Sequence, residues 1–159
     1  VGIALAWWSR EDLGPLHERT GYFVIAILVA RLLWGFVGTH YARFAQFVRA
    51  PQATIAYARA ALKGKAPRYI GHNPLGGWMV LALLACLTLL TFTGWLYTTD
   101  MFWGYGWLAD LHKYLAWTLL GLVAMHIAGM LWTCWEHREN LVRAMFTGKK
   151  EAPSNEDIA

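Results

Sequence analysis

Three uncharged runs constrain this chain more than anything else in it. Leu75–Tyr97 and Tyr114–Trp135 contain no Asp, Glu, Lys or Arg, and Gly21–Gly38 is interrupted only by Arg31. A helix of about 20 apolar residues crosses the roughly 30 Å hydrocarbon layer of a bilayer. In lipid every backbone polar group needs a partner within its own element, so each run is expected to be helical. Composition agrees: 57% of the residues are hydrophobic, ten are Trp and 15% are charged, against about a quarter charged in soluble domains. The predicted fold class is all-α, a membrane four-helix bundle with its first helix truncated in this sequence.

The truncation is read from the start, VGIALAWWSRED. Its short apolar run cannot span a bilayer. It lacks the basic flank and small-residue cleavage site of a signal peptide, and it ends in Trp7 and Trp8, as membrane helices often do at the interface. Residues 1–8 therefore read as the end of a first membrane helix; the other reading is a short interfacial segment. The remaining chain divides into helices at about 17–38, 74–97 and 112–135, a connector at 39–73, a loop at 98–111 and a tail at 136–159. All of it, 1–159, reads as one membrane domain without a soluble second unit.

Charge sets the orientation. The connector holds Arg43, Arg49, Arg59, Lys63, Lys65 and Arg68 and no acid, whereas the loop 98–111 holds Asp100 and Asp110 and no base. Basic loops remain on the cytoplasmic side, which places the connector and the basic tail (Arg138, Arg143, Lys149, Lys150) in the cytoplasm and the acidic loop outside. The net charge of +4 is thus a matter of topology and calls for no nucleic acid. Within the connector, Ile55, Ala58 and Leu62 recur at helical spacing, so 53–63 forms either a short amphipathic surface helix or a solvated loop. Asn73-Pro74 is a helix start, with Asn as cap and Pro at the first helical position. Cys86 and Cys134 lie in separate runs with no CxxC or CxxCH, which supports neither a zinc ribbon nor c-type haem attachment.

Two histidines, His112 and His126, lie on one predicted helix. Their fourteen-residue interval returns to nearly the same helix face after about 21 Å of rise. Ionisable or polar residues in membrane helices usually face the bundle interior and mark function. Two imidazoles at two depths suit two haem irons, for which His is a common axial ligand. His17 begins the second helix at the level of His112, and the two together are expected to hold an outer haem. At the matching inner level the second helix carries Arg31, while His40 and His72 are interfacial. The partner of His126 is therefore expected from helix one, upstream of Val1. Gly21 and Gly35, also fourteen apart, suit close approach of two flat macrocycles; close helix packing explains them equally well. Arg31 either pairs with a haem propionate or snorkels to the headgroups.

The motifs HERTGY (17–22), RLLWGFVG (31–38), GHNPLGGWM (71–79), LHKYLAW (111–117), MHIAG (125–129) and HRENLVRAMFTGKK (137–150) resemble those of the bacterial cytochrome b561 and nickel–iron hydrogenase b-type cytochrome family. The resemblance covers nearly the whole chain. It implies a dihaem b protein of the bacterial inner membrane. His17 and His112 then hold the outer iron, and His126 holds the inner one with a first-helix His. It also implies electron transfer between the quinone pool and a redox partner such as a dehydrogenase, hydrogenase or cytochrome c. The aromatic outer loop, TTDMFWGYGWLAD, is either a partner or quinone surface or an interfacial aromatic belt. Two other readings compete: a haem-free membrane anchor, and a self-contained quinone oxidoreductase.

Overall fold

A computed structural model describes residues 1–10, 14–67, 69 and 71–137, with Tyr41 and His137 described by backbone alone. Arg68 and the basic tail 138–159, with most of the HRENLVRAMFTGKK motif, lie outside the described residues. The order of elements is α1 (Gly2–Trp8), α2 (Gly14–Val37), a 3₁₀ turn (His40–Ala42), α3 (Phe44–Phe47), α4 (Pro51–Ala61), α5 (Pro74–Tyr97) and α6 (Gly106–His137).

Three of these helices, α2, α5 and α6, are long and apolar enough to cross a membrane. They are apolar on nearly all sides. Phe23, Ile27, Leu33, Leu89, Phe92, Trp117 and Leu131 all face outward, an arrangement that water would penalise and lipid accommodates. The interior is correspondingly small, with Val24 and Leu28 of α2, Cys86 of α5 and Leu108 and Leu119 of α6 buried. The Cys86 Sγ–H reaches the Leu115 carbonyl at 3.5 Å, joining α5 to α6. Helix α1 lies against both α2 and α6: Gly2 abuts Val24, and Trp7 meets Trp117 edge to face at 4.9 Å.

Helix α5 starts where its local chemistry dictates. The Asn73 side chain accepts a bond from the Gly76 amide at 2.7 Å, and Pro74 occupies the first turn. The connector is clamped to that end. Phe47, 2% exposed, packs so closely that a Cβ on Gly77 would collide with its carbonyl. The Trp78 indole N–H donates to the Arg49 carbonyl.

Three boundaries differ from the sequence reading. Helix α2 begins at Gly14 rather than near 17, so His17 is its fourth residue. The last helix begins at Gly106, not near 112. Gly104, at φ +81°, makes the turn that a side chain would resist, and Leu108, 1% exposed, fixes the first helical turn. His112 thus lies well inside α6, and the loop shortens to 98–105. In the connector, the helix starts at Pro51 and is held by Tyr57 rather than by the Ile55–Ala58–Leu62 face, since Ile55 and Leu62 are exposed while Tyr57 is buried.

Candidate functional site

The site forms at the end of the bundle opposite the connector, where α1 ends, α2 begins, α5 ends and α6 is in its second turn. His17 lies in the first turn of α2 and His112 on α6. Their rings stand 6.2 Å apart centre to centre, with planes at 79°. Both rings are half-buried.

The hydrogen bonds determine which ring nitrogens are available. His17 Nδ1 lies 2.8 Å from the carbonyl oxygen of Ala6. A carbonyl only accepts, so Nδ1 carries a proton, and in the neutral ring that leaves the lone pair on Nε2. That carbonyl belongs to the last turn of α1, where helix carbonyls lack backbone partners, and it also accepts from the Ser9 hydroxyl at 3.3 Å. His112 Nδ1 lies 3.1 Å from Thr93 Oγ1. Thr93 has one proton and donates it to the Leu90 carbonyl at 2.9 Å. Its oxygen therefore accepts from His112, whose proton is again on Nδ1. The neighbouring Gly94 leaves room for the ring: a Cβ there would lie 2.9 Å from His112 Cε1.

The two imidazole rings, 6.2 Å apart centre to centre, are near enough to be tested as a ligand pair. Imidazole nitrogens bind metals at about 2 Å and the ring centre lies roughly 1 Å beyond, so two rings flanking one iron stand about 6 Å apart. Among the described residues no group of three or more His, Cys, Asp or Glu is placed to hold a bare ion. A haem iron brings four porphyrin nitrogens and takes only two ligands from protein, so this pair fits haem. Gly21, one turn beyond His17, has open space where a Cβ would stand.

The other residues singled out from sequence lie elsewhere. His126, half-buried on α6, meets no partner among the described residues. Arg31 holds its guanidinium 5.3 Å from the Phe44 ring centre, with Nη1 buried and without a hydrogen-bond partner among the described residues. The space over Gly35 is taken by the Phe44 ring itself. His40 is exposed beside Gln46, and His72 packs on Phe47 at 4.8 Å; both are far from His17 along the helices. An open apolar groove of about 650 Å³ between α2, α3 and α5, lined by Leu32, Phe36, Phe44, Leu81, Leu84 and Thr88, holds none of the histidines.

Ala6, Thr93 and Gly94 were not legible as site residues. One signal could have found the last two. Antiparallel helices bring together residues nearly equidistant from their loop, and 93 and 112 flank the 98–105 loop in that way. Comparison with curated proteins and with solved structures gave no significant match. A family model described as prokaryotic cytochrome b561 matches residues 2–148, and with the apolar helices and the facing imidazoles it gives the assignment: this chain belongs to the prokaryotic cytochrome b561 family and is a membrane haem protein of electron transport.

Proposed function

We propose that the chain carries electrons across the bacterial inner membrane between the quinone pool and a redox partner protein. We assign its outer haem b to His17 and His112. The observation that carries this reading is the facing pair, 6.2 Å apart, with both Nδ1 protons already used. Haem, when bound, supplies the one-electron redox change. The protein's part is to hold the ligands and exclude water. His17 and His112 present Nε2 from opposite helices. The Ala6 carbonyl and the Thr93 hydroxyl fix the two rings. Gly21 leaves a face of α2 open to a flat group.

A second haem is proposed at His126, about 21 Å along the same helix. Arg31 belongs to this inner level. Its partnerless Nη1 favours an anionic group such as a propionate as the missing acceptor. Phe44 now occupies the approach at Gly35, so a macrocycle there requires that ring to turn aside. The connector is proposed to face the cytoplasm, supported by the exposed Arg43, Arg49, Arg59, Lys63 and Lys65, with Asp100 and Asp110 exposed at the other end.

Pigment analysis of the purified full-length protein tests the ligand assignment. His17→Ala and His112→Ala should each remove the same haem and leave the other. Retention of every haem in both variants overturns the pairing.

A further inference from the structure

We propose that Thr93 is a positioning residue of the outer site, holding His112 in the tautomer and orientation that offer Nε2 to the iron. This rests on the assignment of His112 as an axial ligand. Six other threonines on or near the spans, at 88, 91, 98, 99, 118 and 133, return their hydroxyl protons to a carbonyl three or four residues back. That habit satisfies a Thr in an apolar helix without any further partner. Thr93 does the same toward Leu90, and its oxygen then has lone pairs to spare. It is 5% exposed, and the group that meets it is the ring nitrogen of His112, from the neighbouring helix, at 3.1 Å. With the Thr93 hydroxyl donating to the Leu90 carbonyl, the proposed arrangement has His112 Nδ1–H donating to Thr93 Oγ1. Gly94, the next residue, admits the ring against α5. One consecutive pair thus supplies both the acceptor and the space.

The chemistry follows from what a hydrogen bond on the far nitrogen does to a metal-bound imidazole. An acceptor at Nδ1 fixes the ring and raises its basicity as a ligand. A more basic axial ligand favours the oxidised iron. Removing the hydroxyl acceptor while keeping the volume, as Thr93→Val does, makes His112 a weaker donor and leaves the Leu90 backbone as the ring's remaining polar neighbour on α5. The outer haem then becomes easier to reduce, and the haem held at His126 is untouched. Thr93→Ser keeps the oxygen and should keep the wild-type behaviour.

The test is a redox titration of the haem-loaded, full-length protein, followed optically and by electron paramagnetic resonance. In Thr93→Val the outer component should shift to more positive potential, each tenfold change in its reduction equilibrium reading as about 59 mV. Its low-spin signal should broaden or move. Thr93→Ser should match wild type, and the second component should stay in place. If Thr93→Val does not accumulate in membranes, Thr93→Ala carries the same expectation without added bulk. A wild-type potential and signal in the variant lacking the hydroxyl, while His112→Ala still loses one haem, overturns the role of Thr93 alone. Retention of every haem in His112→Ala overturns the ligand assignment beneath it.

Discussion

A single added methyl at Gly94 probes the site from its second side. A glycine in mid-helix costs roughly 0.5–1 kcal/mol relative to alanine, and α5 accepts that cost at this position. In Gly94→Ala the new Cβ would stand 2.9 Å from Cε1 of His112, 3.4 Å from Nδ1 and 3.9 Å from Nε2. Carbon atoms rest comfortably at about 3.5 Å or more, so the ring must retreat by about 0.6 Å. Metal–ligand distances tolerate about 0.2 Å. The ring cannot pivot freely to make up the difference, because its Nδ1 is tied to Thr93 and Thr93 to Leu90. Overpacking at His112 costs about 1–3 kcal/mol, and the helix regains up to about 1 kcal/mol in propensity, so the fold should survive. The outer haem should not survive intact. The assay is the haem-to-protein ratio of purified protein, with reduced-minus-oxidised spectra and the spin state of the iron. The expected result is loss of one haem, or its conversion from low to high spin, with the other haem as internal control. A full haem complement with an unchanged low-spin signal would refute the geometry.

Three further outcomes follow from other parts of the molecule. His126→Ala should abolish an inner haem and leave the His17–His112 haem with its wild-type spectrum; loss of both would show that the two levels are not independent. Asn73→Ala removes the acceptor for the Gly76 amide and should cost about 1 kcal/mol, a fall in melting temperature of about 2–4 °C for a chain of this size, whereas an unchanged melting temperature would deny the cap any weight. Burial, followed by the charge of Glu136 and by Tyr69, pushes the Tyr57 hydroxyl up from its ordinary 10.0 to about 12, with partial relief from Asn73. The folded protein therefore keeps this proton to higher pH than the unfolded chain does. Its contribution is complete below pH 10 and declines as pH rises from 10 toward 12. Tyr57→Phe should remove that part of the alkaline loss of stability, measured by thermal unfolding in detergent.

The spans could be read from sequence because lipid imposes one local rule, an apolar helix of sufficient length, and α2, α5 and α6 obey it nearly residue by residue. Asn73-Pro74 was legible for the same reason, since a cap is a contact within four residues. The start of α6 was not. Trp107 and Asp110 look like loop chemistry, and only the packing of Leu108 against the bundle shows that the helix has already begun. At Gly35 the sequence offered a glycine at a repeated interval and left two explanations for it. The structure places Phe44 there, a residue from beyond the end of α2, which no periodicity within the helix could indicate.

His17 and His112 could be paired from sequence because both are ionisable groups in apolar helices, at the same depth of two helices running the same way. What holds them could not, because Ala6 and Thr93 act through an ordinary carbonyl and an ordinary hydroxyl that any helix contains. Their roles arise from where chains meet. The end of α1 exposes a carbonyl to His17, and the antiparallel packing of α5 on α6 puts Thr93 and Gly94 beside His112. The outer pair is thus built from four helices, two giving the imidazoles and two giving the partners that orient them. This arrangement gives α1 a contact at the His17–His112 pair through the Ala6 carbonyl. Shortening α1 so that the Ala6 carbonyl withdraws should loosen His17 even where every histidine is retained, because the Nδ1 proton would then lack the acceptor that holds the ring beside His112.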